Sequence, residues 1–423
     1  VDLEATRDLQ IDPLDPVDHE RLVEELLMLE GDLAREVVRR TGGNPLFAVE
    51  LIGDWVQRGV LEVGNRGFEL RDGVEPSIPD HLHDVWVQRI EALLEDYSED
   101  ARRALKLAAA LGQDVRTDEW RAVCDLAGVY LDDGLAAELA ERRFARRTDN
   151  GWAFAHAILH ESVERIARDE GRWIQHRRWC ADLIEIRDDI STPRVAERFG
   201  RYAMSAHEYA RALEPLLHGA RGRRRRGEYR AAQQLISDYI ECLEQMAVAD
   251  DDRRWGDTWV LRARTYLNDD DPKQARRWAE QALEAADRHD WRDIRPQAMG
   301  WLALAKQWLG EKEAAEDLQR AYQLLVDTTP DRRMRGVYGS VAHGLTSLRK
   351  FDQAKRLLEL DYREAREYDN ERALGNNLNL RCRWAIMQQN FDQALDYARQ
   401  ALERLEELGH LPGAAISREY MAE

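Results

Sequence analysis

The carboxyl-terminal half of this 423-residue chain repeats one short pattern at a period of about 40 residues. Each copy ends in Ala, and small or apolar residues stand four and eight positions after each alanine. These spacings place the residues on one face of a helix. Residues of the same kind nine and twelve positions earlier indicate a preceding helix in the last four copies. The copies are Gly227–Ala231, Asp271–Ala275, Gly310–Ala314, Lys350–Ala354 and Asn390–Ala394.

This repeat predicts a helical solenoid. One pair of helices is too thin to bury its own apolar stripe, whereas stacked pairs bury a continuous one. The composition agrees, because Gly (26) and Pro (11) are sparse while Ala, Leu, Glu and Arg dominate. The 13 Trp and 13 Tyr residues suit wide seams between helices. The predicted fold class is therefore mainly all-α, with TPR-like repeats over 169–423.

Residues 1–75 are predicted to form short helices followed by a small hairpin. Asp15-Pro16 is a helix start, because Asp caps the helix and Pro fits its first turn. We expect this helix to continue through Leu29 and to end at Gly31. Asn44-Pro45 repeats the same start signal and opens another helix.

Residues 76–168 are predicted to contain linker helices followed by a compact body. Between 117 and 166, two helices precede two short alternating segments separated by Asn150-Gly151, a strong local signal for a β-hairpin. Two helices and a hairpin in this order outline a winged helix. A smaller hairpin is predicted over 60–71, and no strand signal remains after about residue 170.

Charge and cysteine content restrict the partners and the compartment. The chain has 62 Lys and Arg against 81 Asp and Glu, so its net charge is −19. This charge argues against general binding to nucleic acid or anionic membranes. No stretch approaches the roughly 18 apolar residues of a transmembrane helix. The four cysteines form no CxxC pair, so we expect no zinc ribbon or disulfide scaffold and predict a cytoplasmic protein.

Several segments resemble known families. The repeats resemble tetratricopeptide (TPR) arrays, although their units are longer than the usual length of about 34 residues. AREVVRRTGGNPLFAVELI (34–52) resembles the end of the nucleotide-binding module in STAND ATPases, which are signal-transduction ATPases related to AAA+ proteins. In that family a G-[GN]-N-P-L-F segment opens a lid helix. Residues 77–112 and 152–163 resemble the family's linker helices and the F-x-H end of its winged helix.

The STAND resemblance implies a nucleotide switch. It implies that Gly43, Asn44 and Pro45 belong to a nucleotide-contacting segment, with Pro45 against the adenine, and that His156 senses the phosphates. The implied cofactor is ATP or ADP, bound by a longer parent protein and not by this chain alone. The resemblance also implies an upstream effector domain, such as a protein kinase, and a protein or peptide partner on the TPR groove.

The residues that perform nucleotide chemistry are missing from this sequence. A P-loop needs G-x-x-x-x-G-K-[ST], because backbone N–H groups and the Lys hold the phosphates, and no such string occurs. No HExxH or GxSxG string occurs either. We therefore expect no ATP hydrolysis by this chain alone, and we assign no catalytic or metal-binding residue. The opening carries no initiator Met, and LQIDPLD (9–15) is expected to be the last core strand of an upstream nucleotide domain.

Each candidate also has a purely structural interpretation. Gly43-Asn44-Pro45 meets the requirements of an ordinary helix cap, and His156 is equally suited to a domain seam. A basic patch on the wing suits DNA phosphates. A denser arginine run suits a site for an anion or an acidic partner, or else a solvated helix end. The wing patch comprises Arg142, Arg143, Arg146 and Arg147, and the run comprises Arg221, Arg223, Arg224, Arg225 and Arg226.

The sequence leaves three functions open. The first is the regulatory portion of a STAND-type signalling ATPase, in which a ligand on the TPR groove shifts a nucleotide-held closed state to an open one. The second is a free-standing TPR scaffold, in which the segment 1–170 only caps the solenoid. The third is a winged-helix regulator that binds DNA. Neither a membrane partner nor general nucleic-acid binding is expected.

Overall fold

The computed structural model describes residues 12–29, 31–57, 59–63, 68–71, 82–95, 97–328, 334 and 336–422. The chain divides into two compact units. Unit 1 comprises Val1–Arg187 with Ser205–His207, and unit 2 comprises Asp188–Met204 with Glu208–Glu423. The described residues are mainly helical, which confirms the predicted fold class. None of the helices within these ranges has the length and apolar character needed to cross a membrane.

The amino-terminal part of unit 1 consists of short helices and a two-stranded hairpin. Asp15 caps the first helix, because its carboxylate accepts hydrogen bonds from the backbone N–H groups of Val17 (2.9 Å) and Asp18 (3.1 Å). This helix continues into a π-helical turn at Leu22–Leu26. The elements are α1 (Pro16–Arg21), α2 (Gly31–Thr41), α3 (Pro45–Gln57), β1 (Leu61–Val63), β2 (Phe68–Leu70) and α4 (Leu82–Leu93).

The predicted end of the first helix is wrong. The helix stops before Leu29, because Met28 adopts a left-handed backbone (φ 56°) and Leu29 forms a bridge with Phe68. Gly31 therefore begins α2 and does not end the preceding helix. The hairpin of β1 and β2 is confirmed as an antiparallel pair, although residues 64–67, its predicted turn, lie outside the described residues.

The strand predicted over 9–15 is not formed by its described part, residues 12–15. A strand needs a neighbouring strand with which to exchange hydrogen bonds. Here the backbone N–H of Leu14 donates to the carbonyl oxygen of Gly43 at 2.9 Å. Residues 9–11 and the helix-start segment 77–80 lie outside the described residues.

The rest of unit 1 is a body of helices around a three-stranded antiparallel sheet of order β3-β5-β4. The predicted hairpin of β4 and β5 is confirmed, but its turn lies one residue earlier than Asn150-Gly151. The turn residues are Asp149 and Asn150, because Gly151 pairs with Thr148 as the first residue of β5. β3 was not predicted from the sequence, because a strand of three residues is too short to show an alternating pattern. The elements are α5 (Glu99–Leu111), β3 (Asp114–Arg116), α6 (Thr117–Leu126), α7 (Leu135–Glu141), β4 (Ala145–Thr148), β5 (Gly151–Phe154), α8 (Ala157–Asp169) and α9 (Trp173–Arg187).

Aromatic side chains fill the centre of this body. The Trp152 ring packs edge-on against Trp120 and Phe154, with ring centroids 5.2 and 4.9 Å apart. All three side chains are buried, and the Trp120 indole N–H donates to the carbonyl oxygen of Ala104 at 2.7 Å. Burial of each large aromatic side chain contributes roughly 2–3 kcal/mol. The sheet and the helices around it therefore share one core.

Unit 2 is an array of antiparallel helices, and its described residues contain no strand. We call α11, α13, α15, α17, α19 and α21 the A helices, and α12, α14, α16, α18 and α20 the B helices. The elements are α10 (Pro193–Ser205), α11 (Tyr209–Arg225), α12 (Tyr229–Gln245), α13 (Arg254–Asn268), α14 (Pro272–Arg288), α15 (Ile294–Trp308), α16 (Ala314–Asp327), α17 (Val337–Ser347), α18 (Phe351–Glu367), α19 (Glu371–Met387), α20 (Phe391–Glu407) and α21 (Leu411–Ala422).

The predicted repeat is confirmed, apart from its register in the first copy. Four of the five aligned alanines are buried, but in the first copy Ala232 is buried while Ala231 is only half-buried. The backbone explains this shift, because Gly227 (φ 80°) forms the left-handed turn between two helices five residues before Ala232. Three later copies place a left-handed turn residue five positions before the buried alanine, and these residues are Asp270, Arg349 and Gln389.

The A helices form the inner layer of this array. α13 contacts α15, α15 contacts α17, and α17 contacts α19, whereas the B helices touch one another more weakly. Glycine permits the close approach, because a Cβ atom on Gly300 would lie 2.5 Å from Cγ2 of Val337. Helices that lie closer together occupy the inside of a curve, so the A helices line the concave side of unit 2.

Candidate functional site

Three of the predicted site residues lie at the start of α3. The Asn44 side chain caps this helix, because its Oδ1 accepts from the backbone N–H of Phe47 at 3.1 Å. Gly43 has a φ of 81°, and a Cβ there would lie 2.7 Å from the carbonyl oxygen of Leu14. Gly43 therefore holds the segment before α1 against the start of α3, and Asn44 and Pro45 begin that helix. Their predicted contact with a nucleotide stays a prediction.

His156, the fourth predicted residue, contacts the same helix. It immediately precedes α8 in an extended conformation and makes no side-chain cap. Its Nε2 lies 3.6 Å from Oε1 of Glu50, which stands on the second turn of α3, and its ring centroid lies 5.9 Å from that of Trp86. His156, which was predicted to sense a nucleotide, thus contacts α3, the helix that begins at Pro45.

A buried ion pair beside His156 joins α3 to α4. Glu50 accepts a hydrogen bond from Arg89, and their side chains are only 14% and 7% exposed. The Arg89 guanidinium also lies over two aromatic rings, 4.5 Å from the centroid of Trp86 and 5.2 Å from that of Phe144. We call Glu50, Trp86, Arg89, Phe144 and His156 the junction cluster.

Glu50 and Arg89 were not predicted as site residues from the sequence. They lie 39 residues apart on different helices, and neither belongs to a recognisable pattern. Only the packing of α3 against α4 brings them together. Removing one partner of a buried pair leaves an uncompensated charge, which costs roughly 3–5 kcal/mol. The junction cluster is therefore suited to holding two segments in one arrangement, and it contains no group placed as a nucleophile.

The cysteine thiols are buried. None of the four cysteines forms a disulfide. Burial raises the pKa of Cys124 and of Cys242 to about 12, so both stay protonated thiols at neutral pH. Across the described ranges, no group of three or more His, Cys, Asp or Glu side chains is arranged to hold a metal ion.

Unit 2 buries a polar network between α18 and α19. The Asn377 amide donates to Oδ2 of Asp361 (2.7 Å) and to the carbonyl oxygen of Leu358 (2.9 Å). Arg381 Nε in turn donates to Oδ1 of Asn377 at 2.8 Å. Burial raises the pKa of Asp361, although the hydrogen bond from Asn377 opposes that rise. Because buried polar groups need partners, this network specifies how the two helices pack.

A cleft of about 500 Å³ opens beside this network. Its volume lies within the range of roughly 300–1,000 Å³ that is common for ligand sites. The lining combines positive, negative and aromatic groups, and the Arg381 guanidinium lies 5.1 Å from the ring centroid of Tyr362. A polar segment with charges of both signs would complement this cleft. The lining residues are Glu359, Tyr362, Arg363, Arg366, Glu367 and Arg381.

The basic patch predicted on the wing is partly neutralised. Arg142 pairs with Glu138 at 2.6 Å, and Arg146 lies 3.7 Å from a carboxylate oxygen of Asp114. Two of the four arginines therefore have acidic neighbours that compete with a phosphate.

Comparison with known proteins gives distant structural likenesses. No family model matches the chain, and no curated protein matches it. A solved structure of a STAND protein with a tetratricopeptide repeat sensor, from Pyrococcus horikoshii, aligns with 97% of this chain at 12% identity and a TM-score of 0.38. The alignment covers 62% of that protein, so this chain spans about three fifths of its length.

Two further solved structures align at a similar level. One is a Rap protein complexed with competence and sporulation factor, with 15% identity, 89% of this chain and 96% of that chain covered, and a TM-score of 0.33. The other is aspartyl phosphate phosphatase F from Bacillus subtilis, with 10% identity, 97% and 95% coverage and a TM-score of 0.37. Likenesses at these identities and TM-scores carry no argument about function.

Proposed function

We propose that this chain is the regulatory portion of a multidomain signalling protein. Unit 2 binds a protein or peptide segment, and unit 1 relays that binding to a nucleotide switch. The observation that carries the proposal is the mixed-charge cleft of about 500 Å³ that α18 and Arg381 of α19 line within an array of stacked helical pairs. Stacked helical pairs create extended concave surfaces of the kind that bind protein segments.

The cleft favours a polar or charged segment. Three arginines and two glutamates surround the one aromatic ring, so both acidic and basic side chains find partners there. The neighbouring network of Asp361 and Asn377 is buried and internally bonded. It positions one wall of the cleft, because Arg381, which lines the cleft, donates from Nε to Oδ1 of Asn377.

Unit 1 would act as the relay. Its order of helix, strand, two helices and hairpin suits a winged helix, and α3 would be the lid helix of a nucleotide module. In this proposal the contact between His156 and Glu50 is part of a latch that holds a closed state. Moving a switch from mostly closed to mostly open needs about 5 kcal/mol. Loss of a buried ion pair is of that order, so breaking the junction cluster would open the latch.

The first experiment tests the cleft. Peptides selected from a random library against this chain should lose affinity about tenfold or more in the Tyr362→Ala and Arg366→Glu variants, because each removes a wall of the cleft. Arg356→Glu is the matched control, since it makes the same charge change at an exposed position of α18 outside the cleft. Fluorescence anisotropy measures the affinities. Equal affinity in all variants would place the peptide site elsewhere and defeat this part of the proposal.

The second experiment tests the relay. In the longer protein, Pro45→Ala and His156→Ala should each change the affinity for ATP or ADP, measured by calorimetry. Unchanged nucleotide affinity in both variants would contradict the switch. The gene upstream of Val1 offers a direct check, because an in-frame P-loop supports the switch and a nearby start codon supports a free-standing scaffold.

A further inference from the structure

Four of the five arginines in the run at the end of α11 fall into two pairs with different surroundings. Arg223 Nε donates to Oε2 of Glu197 at 2.6 Å, and its Nη1 donates to Glu228 at 2.6 Å. Arg226 Nε also donates to Glu228, at 3.0 Å. Carboxylates therefore neutralise this first set, which secures α11 to α10 and to the turn before α12.

The second set consists of Arg224 and Arg225 on α11 and Arg372 on the first turn of α19. We call these three residues the arginine cluster. Arg372 Nη2 donates to the carbonyl oxygen of Arg225 at 3.1 Å, although the two residues are 147 positions apart. Nε of Arg224 is buried and has no hydrogen-bond partner within the part of the chain that is described.

No carboxylate compensates the arginine cluster among the described residues. None of its three guanidinium groups forms an ion pair there, and the charged neighbours that affect them are other arginines, with Arg221 and Arg226 among them. The adjacent Glu371 is bound by Arg404. Arg372 also lies at the amino-terminal end of α19, where the free N–H groups add partial positive charge.

Burial and repulsion from neighbouring arginines both lower the pKa values of these guanidinium groups. Burial lowers the pKa of Arg224 to about 10, and the positive charges of Arg372 and Arg225 act in the same direction. Burial likewise lowers the pKa of Arg225 and of Arg372. All three groups remain charged at neutral pH. The folded chain thus brings like charges together from two distant helices without an ion-paired carboxylate among the described residues. Arg225 is exposed and Arg224 and Arg372 are half-buried, so an anion from solvent can reach them.

The chemistry of the cluster selects an anion with two charges. Guanidinium groups present planar pairs of donors that match the oxygens of a phosphate, and several together suit a dianion better than a single carboxylate. The Tyr229 side chain lies close enough to affect Arg224 and Arg372, and a phenol is a further donor to an oxyanion.

We propose that Arg224, Arg225 and Arg372 form a binding site for the phosphate group of a small phosphorylated molecule or of free phosphate. The bound group would join the end of α11 to the start of α19. This site is separate from the cleft on α18 and does not depend on the proposed function. A ligand that binds only the folded chain stabilises it, so occupancy would tie the two ends of the array together.

The test measures phosphate binding by the full chain at about 0.15 M ionic strength, where weak surface attraction is screened. Titration calorimetry and thermal unfolding would use inorganic phosphate, ADP and a phosphoserine peptide. We expect phosphate to raise Tm, and we expect Arg224→Gln and Arg372→Gln each to weaken binding about tenfold or more. Arg226→Gln is the matched control, because it removes one charge from the same run but from a guanidinium already paired with Glu228.

A second readout guards against variants that only disturb folding. Without phosphate, Arg224→Gln and Arg372→Gln should unfold at the same Tm as the unaltered chain or at a higher one, because each relieves repulsion. Tighter binding of ADP than of the phosphopeptide would identify a small-molecule site. Absence of any phosphate effect, equal weakening by Arg226→Gln, or preference for the phosphopeptide would overturn the proposal.

Discussion

Burial decides the protonation state of several single residues in this protein. His176 is 2% exposed and stacks on Trp179, with ring centroids 5.9 Å apart. Burial lowers its pKa to about 4, and the positive charge of Lys106 adds to this effect. The ring is therefore neutral at pH 7, and its Nδ1 has no hydrogen-bond partner among the described residues. Protonation would place an unpaired charge in the core of unit 1.

This predicts how stability depends on pH. The unfolded chain protonates His176 near its ordinary pKa of about 6.5, whereas the folded chain resists protonation down to about 4. The free energy of unfolding should therefore fall as the pH drops through that window, by about 2–3 kcal/mol in total from this residue. Urea unfolding at pH 7, 5.5 and 4 should show a smaller loss for His176→Gln than for the unaltered chain. An identical loss in both would contradict the prediction.

Several of the described turns between helices of unit 2 are of one kind. After each of several A helices one residue adopts a left-handed conformation, and the next N–H bonds back to a carbonyl five residues earlier. Lys350 N–H donates to the carbonyl of Leu345 at 2.9 Å, and Asn390 N–H to that of Ala385 at 3.0 Å. Glycine suits the left-handed position, but this chain also uses Arg349 and Gln389 there.

The turns therefore offer a test by substitution. Gln389→Gly should raise the free energy of unfolding by roughly 0.5–1 kcal/mol, because it removes the steric cost of a left-handed side chain. Gly310→Ala should lower it by about 1 kcal/mol for the opposite reason. Gln388→Gly is the matched control, because Gln388 has a φ of −96° and glycine there only adds entropy to the unfolded chain. Stabilisation by Gln388→Gly equal to that by Gln389→Gly would refute this explanation.

The whole molecule combines a net charge of −19 with local groups of arginines. Several of the arginines discussed above are paired with carboxylates, as Arg142 and Arg223 illustrate. The arginine cluster forms no ion pair among the described residues, and it connects α11 to α19. The distribution of charge therefore favours a confined anion over a long nucleic acid, which needs several free cations along one face.

We accordingly expect no binding to double-stranded DNA at about 0.15 M ionic strength. An electrophoretic mobility assay with mixed-sequence duplex should show no retarded band for this chain. The two wing arginines without a partner described above, Arg143 and Arg147, provide the control. A band that appears with the unaltered chain and disappears with their replacement by Glu would support the DNA-binding regulator in place of our proposal.

Local features of this protein could be predicted from the sequence alone. The helical repeat of unit 2, the cap at Asp15-Pro16 and the hairpin of β4 and β5 all depend on residues within one or two turns of each other. Helical periodicity, capping and turn preferences are interactions of that range. This is why the fold class of the chain was accessible without coordinates.

Only the tertiary structure decided which distant residues meet. Glu50 and Arg89 are 39 positions apart, and Arg225 and Arg372 are 147 positions apart. Neither pair belongs to a periodic pattern in the sequence. The same holds for the first helix, which ends early because Leu29 bridges to Phe68. Such contacts depend on how whole helices pack, and packing is set by the sum of many weak interactions across the chain. Sequence therefore determined the elements and their repeat, while packing determined the junction cluster and the arginine cluster.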